Sequence, residues 1–291
     1  MDTKVIIVPV VTARQSQAAL SLGRRAAATS GAMLQLFYFT EKEQPPESII
    51  ARLGFTPRDM FNAVLTQICG EESKYQAAIL EAAARPEVEM MVLAFDGLEP
   101  FIDEHLLESL VEHIPCPVFF TRPDLERLAE RPIQQLVVPL DGTPSAAAAI
   151  EPAVRLAGEN DAQLHVLYIA TDRSAPHEPG SLPIGPYLDQ PQHDWPFWIR
   201  EFWDRFIICT KQIAPQVKSH LHVIHGEVVE EIKRFVHKHD CDLLTMAINL
   251  RAADTQADRL RKLMSQLHCP LLLVRPKEAN SQCASLYHSA A

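Results

Sequence analysis

The chain has 291 residues, a formal net charge of −10 at pH 7 and an apolar fraction of 47%. That length suffices for two domains of ordinary size, each burying its own core. No apolar run reaches the roughly 20 residues that a membrane helix requires, and the acidic balance opposes the attraction on which nucleic-acid binding relies, so neither membrane nor nucleic acid is expected as a partner.

Taken in chain order, MDTKVIIVPVV has too short an apolar stretch for a secretory signal and reads directly as a strand, which places the protein in the cytoplasm. Thr3 to Val11 is the apolar, β-branched run of a strand buried on both faces. An Ala-rich helical stretch follows, then a second strand at Met33 to Phe39 and a short helix around Pro46 to Leu53. AVLTQICG, ending at Gly70, reads as a third strand leading into a helix whose acidic first turn suits the helix dipole. Met90 to Phe95 is the fourth strand and Ile114 to Pro123 contains the fifth.

Asp124 to Pro132 reads as a linker, after which the same series returns in the same order. Gln134 to Gly142 answers the first strand and TPSAAAAIEPAVRLAGENDA the first helix. Gln163 to Ile169 answers the second strand. HLHVIHG, ending at Gly226, answers the third with its acidic helix, Asp242 to Ile248 the fourth, and Leu267 to Pro276 the fifth. Cys-Pro before the last strand and Arg-Pro after it occur in both halves. Alternating strands and helices call for a parallel sheet with right-handed crossovers and helices on both faces. The fold class is therefore α/β: two doubly wound parallel sheets in tandem, domains spanning 1–123 and 133–277, with a flexible tail at 278–291.

The motifs VVPLDGTPSAAAAIEPAVRLA, Gly226 with its acidic helix, DLLTMAI and CPLLLVRP together resemble the universal stress protein family. The second half is the nearer match, since the first has Val11 where Asp141 stands. The resemblance implies five-stranded sheets of order 3-2-1-4-5. It also implies a dimer-like pairing of the two halves through their last strands, with Val118, Phe119 and Phe120 along Leu271, Leu272, Leu273 and Val274. That pairing would cover apolar edges inside one chain. The alternative is that these are ordinary central-strand residues and that the domains touch elsewhere. Association of whole chains into a homodimer stays open.

Members of the family that bind ATP place glycines after the fourth strand, where a bare backbone approaches phosphates and a helix begins. Neither half has that pattern. Ala247 and Leu250 occupy the first two glycine places of the second half, with Ala257 and Asp258 near the third, and no glycine follows Gly226. The first half has Gly97 among Asp96, Glu99, Asp103 and Glu104, which would repel a triphosphate. The candidate ligand residues are Pro139, Asp141, Gly142, Ile169, Gly226, Met246 and Ala247, in the second half. For Asp141 the competing reading is a helix N-cap, with Pro144 near the first turn.

His220, His222 and His225 put two imidazoles on one strand face and a third at its end, a pattern that suggests zinc but lacks a further ligand at suitable spacing; no metal is expected. His237 and His239 fall on different helix faces and are read as solvated. The six cysteines, Cys69, Cys116, Cys209, Cys241, Cys269 and Cys283, show no C-x-x-C spacing and read as buried small hydrophobes of a reducing compartment. The second half also carries an insertion after Ile169 that holds all three tryptophans. Its Pro- and Gly-rich part, Pro183 to Trp195, is a candidate lid or partner surface over the ligand crevice. From Trp195 onward, Trp195, Trp198, Phe202, Phe206 and Cys209 draw an apolar helical stripe, with Phe197 and Trp203 off it.

Nothing in the chain resembles a nucleophile elbow, a Walker loop or H-E-x-x-H. The expected function is a non-enzymatic stress-response regulator or protective protein, without a cofactor, that acts on an unidentified protein partner or small ligand. The alternative is an adenine-nucleotide-binding protein that takes AMP or ATP in its second domain and hydrolyses ATP weakly.

Overall fold

The structure is a computed structural model that describes residues 3–10, 13–55, 60, 62–70, 72–95, 109, 116–125, 131–141, 143–170, 197–248 and 253–275. Two compact units emerge: Met1–Arg131 with Ala252–Ser265 and Pro270–Leu272, and Pro132–Arg251 with Gln266–Cys269 and Leu273–Ala291.

In the first unit, β1 (Val5–Val10), β2 (Met33–Thr40), β3 (Ala63–Cys69), β4 (Val88–Ala94) and β5 (Val118–Thr121) lie in the order β3-β2-β1-β4-β5. All these pairings are parallel. The helices are α1 (Ala13–Ser30), α2 (Pro46–Arg52) and α3 (Glu72–Ala83). β1 is buried along its whole length, as a central strand between helical layers must be. Alanines on α1, among them Ala18, Ala19 and Ala27, are buried. Small side chains of this kind let a helix sit close to a sheet. At Gly23 the approach is closest, since a Cβ there would lie 2.6 Å from Val8 Cγ2.

The second repeat follows the same plan with β6 (Gln135–Leu140), β7 (Gln163–Ala170), β8 (Lys218–His225), β9 (Leu243–Ala247) and β10 (Leu271–Val274), ordered β10-β9-β6-β7-β8; of β10, Leu273 and Val274 group with the second unit and Leu271 and Leu272 with the first. Counted along the chain, both sheets have the order 3-2-1-4-5 expected from the sequence. The helices are α4 (Pro144–Ala147), α5 (Ile150–Asn160), α6 (Phe197–Ile213) and α7 (Val228–Lys238). The helix after β9, α8 (Ala253–Gln266), groups with the first unit rather than with the strand that precedes it. Val5 pairs with Met33 and Gln135 with Gln163, so the first two strands of the repeats correspond at an offset of 130 positions. At that offset Gly31, with φ 71°, answers Asp161, with φ 50°; each supplies the left-handed residue that ends an α-helix. Gly70 and Gly226 likewise share a positive φ, 147° and 152°, ahead of α3 and α7.

Val118, Phe119, Phe120, Leu271, Leu272, Leu273 and Val274 are all buried strand residues. Cys116, Cys241 and Cys269 are buried free thiols, as expected, but Cys69 is exposed because β3 is only half covered. Burial pushes Cys116 up to about 11. It does the same for Cys241, up to about 12, with help from Asp242 and Asp240, so both thiols stay protonated and inert. Of the aromatic stripe, Phe206 is fully buried, and Trp203, read as off the stripe, stacks on it with ring centroids 5.0 Å apart. The candidate lid, the first half's acidic loop and the tail lie outside the described residues, as does Gly142.

Candidate functional site

The second sheet reverses its winding between β6 and β9, since the chain passes from β6 to β7 and β8 on one side and to β9 and β10 on the other. In doubly wound sheets ligands bind outside the carboxyl ends of the strands at such a point. Proline sharpens the separation here. The β6–β9 ladder stops at Val137, and Pro139, which has no N–H to donate, comes two residues later. The first unit shows the same device: the β1–β4 ladder stops at Ile7, two residues before Pro9.

Registers bring the candidate residues to that edge. Pro139 pairs with Leu167 and Leu140 with Tyr168, so Asp141 and Ile169 follow side by side. Ala170 pairs with His225, and Gly226 comes next. Met246 and Ala247 end β9. The edge carries a buried floor of Ile169 and Ala247, with Pro139, Asp141, Gly226 and Met246 half-buried.

Asp141 is occupied locally. Its Oδ1 accepts from Thr143 N at 3.0 Å and from Thr143 Oγ1 at 2.7 Å. Thr143 Oγ1 in turn accepts from Ala146 N at 3.2 Å and is the N-cap of α4. The capping expectation was thus nearly right, but the cap is Thr143 and Asp141 orients it. Tyr168 is pushed up to about 12, by burial and then by the nearby Asp141 carboxylate, so the phenol stays protonated.

A second polar cluster lies on the face that β7 and β8 share with α7. His165 Nδ1 and His222 Nε2 are 3.1 Å apart, and His165 Nε2 is 2.8 Å from Gln135 Oε1. Ring centroids of His165, His222 and His239 are mutually 5.2 to 5.4 Å apart, and His220 stacks on His165 at 5.6 Å. His239, expected to be solvated, is half-buried and stacks on Phe235 at 4.2 Å. Burial lowers His165 to about 4, with further lowering from His222, His239 and His220. Burial also lowers His222, followed by His239, His220 and Lys238. Among the described residues no three donor groups are placed to hold a metal ion. The sequence reading had His220 and His222 on one face but missed His165 and His239, whose nearness depends on the β7–β8 register and on where α7 ends.

Residues 132–275 match the sequence model of the Universal stress protein family. A universal stress protein of Methanocaldococcus jannaschii is 24% identical over 165 residues, which make up 52% of this chain and 88% of that protein. Two solved structures share the fold over nearly the whole length. One is a universal stress protein of Pseudomonas aeruginosa UCBPP-PA14 (TM-score 0.62, 17% identity, 99% of this chain and 98% of that one). The other comes from Archaeoglobus fulgidus DSM 4304 (TM-score 0.63, 10% identity, 94% and 97%). The chain belongs to the universal stress protein family. No helix among the described residues is long and apolar enough to cross a membrane.

Proposed function

We propose that this tandem universal stress protein works in the cytoplasm as a non-enzymatic regulator or protective protein, binding a protein partner or small ligand at the carboxyl edge of its second sheet. One observation carries the reading. At the one edge that retains the family's Asp, the carboxylate is held by the Thr143 turn, and no glycine occurs in the 65 residues after Gly226 to let backbone amides close around phosphates. Both features favour a ligand without a triphosphate, and neither supplies a general base placed to activate water.

Differential scanning fluorimetry with adenosine, AMP and ATP, run beside a phosphate-release assay, tests this. Ligand that binds the folded state alone raises the melting temperature, by the equivalent of ~2.7 kcal/mol at a hundredfold excess over Kd. Adenosine or AMP is expected to shift the protein more than ATP, with no phosphate released. ATP turnover that disappears in Asp141→Asn, a change that keeps the Oδ1 acceptor of the turn, would overturn the reading and favour the weak-hydrolase alternative.

A further inference from the structure

We infer that His165, His222 and His239 form a proton-operated catch that fastens α7 onto β7 and β8 at neutral pH and releases it in acid. The geometry sets the logic. Gln135 Oε1 is an acceptor, so the His165 Nε2 facing it at 2.8 Å carries the hydrogen and Nδ1 keeps its lone pair. The His222 Nε2 at 3.1 Å must then donate to that lone pair. One added proton can sit on His222 Nδ1 and leave this bond intact. A second, on His165 Nδ1, sets two N–H groups against each other and breaks it.

The surroundings offer such protons no welcome. From β6 the cluster meets Gln135; from β8 it meets His220 and His222. From α7 and its C-cap come Phe235, Lys238 and His239. The charged groups that bear on His165 and His222 are the other imidazoles and Lys238, all positive when protonated. Each added proton therefore raises the repulsion felt by the next, and the cluster titrates as a unit. Phe235 packs against both, its ring 4.7 Å from His222 and 4.2 Å from His239.

The first unit serves as an internal control. At the offset of 130, Gln35 stands where His165 does, and the registers, Gln35 opposite Val64 and His165 opposite His220, make Thr66 in β3 the counterpart of His222 in β8. Gln35 Nε2 donates to Thr66 Oγ1 at 3.0 Å, and Arg85, just past α3, donates to Gln35 Oε1 at 2.5 Å. Second strand, third strand and helix end are thus joined in the first unit by an amide, a hydroxyl and a guanidinium through hydrogen bonds, and in the second by imidazoles, with a hydrogen bond between the strands and ring contacts to the helix end.

The sign follows from the lowered His165. Unfolded, a histidine binds its proton near the ordinary 6.5, whereas the folded one waits until about 4, so the unfolded state binds more protons in between and stability falls as pH drops through that window. From pH 7.5 to 5 the ideal ceiling for one such group is about a 30-fold rise in the unfolding constant, and water at the rim of the cluster reduces this to roughly tenfold.

The experiment grafts the first unit's solution onto the second, His165→Gln with His222→Thr. Urea denaturation and amide exchange in α7 and β8, corrected for intrinsic rates, are measured for both proteins at pH 7.5, 6 and 5. The wild type is expected to lose protection in α7 and β8 about tenfold more than the double variant does between pH 7.5 and 5. The variant should remain folded at pH 7.5, where circular dichroism checks it. NMR of the wild type should show the His165 imidazole neutral at pH 5.5. Equal pH dependence in the two proteins, or His165 titrating near 6.5, would overturn the inference. So would zinc chloride protection of α7 at pH 7.5 that the double variant loses, which would make the cluster a metal site instead.

Discussion

Arg122 offers a sharp test of how α8 is held within the first unit, and it belongs to the Arg-Pro signature that ends the last strand in both halves. Its side chain is 18% exposed. Nε and Nη2 donate to the two Asp124 carboxylate oxygens at 2.9 and 2.5 Å, while Nη1 donates to Ser265 O at 2.7 Å and, more weakly, to Met264 O at 3.5 Å. Those carbonyls lie in the last turn of α8, where a helix leaves acceptors unsatisfied and its dipole is negative. A hydrogen bond from a charged donor contributes ~1.5–3 kcal/mol, whereas the pair with Asp124, which is 62% exposed, contributes at most ~1 kcal/mol. Arg122→Ala should therefore cost about 2–3 kcal/mol. Arg122→Lys keeps the charge but not the fork and should lose about half of that, and Asp124→Ala should lose less than ~1 kcal/mol. At ~2–4 °C per kcal/mol, the Ala variant should melt about 6 °C lower. Two units need not unfold in one step, so amide exchange within α8 is the more direct assay. An Ala variant within ~0.5 kcal/mol of wild type, or unchanged exchange in α8, would refute the reasoning.

Two backbone positions give further checks. Gly226→Ala should lower stability by ~1–3 kcal/mol, because φ is 152° there while the nearest obstruction, the end of Glu231, can swing aside; an unchanged urea midpoint would argue against a strained turn. Gly23→Ala sets a helix-propensity gain of ~1 kcal/mol against an overpacking cost of ~1–3 kcal/mol. With Val8 fully buried in the central strand and 2.6 Å from the new methyl, overpacking should win, and a raised melting temperature would show that α1 yields.

The repeat and the strand order were legible because central parallel strands announce themselves as apolar runs, VIIVPV and LVVPL, and because the strands recur in the same order. The edge that gathers Asp141, Ile169 and Gly226 was legible for the same reason, since register follows from strand identity. What escaped lay in contacts that local pattern does not encode. α8 follows β9 in the chain yet groups with the first unit, and nothing in its amphipathic spacing names the sheet it covers. Cys69 looked like a core residue, but β3 is a sheet edge, and composition does not separate edge from centre. The histidines were judged within single segments. His165 sits between apolar neighbours, Leu164 and Val166, so only its pairing opposite His220 reveals a cluster.

The two repeats differ most where the fold leaves chemistry free. In sequence, Val11 stands in the first repeat where Asp141 stands in the second; on the flank, Gln35, Thr66 and Arg85 answer His165, His222 and His239. The first change adds a carboxylate, and the second replaces an amide, a hydroxyl and a guanidinium by imidazoles. The structural positions themselves, Pro9 and Pro139 past the end of a ladder, Gly70 and Gly226 before a helix, are kept in both. A duplicated domain that keeps its turns and ladder ends while exchanging only polar side chains retains its backbone whatever its chemistry becomes.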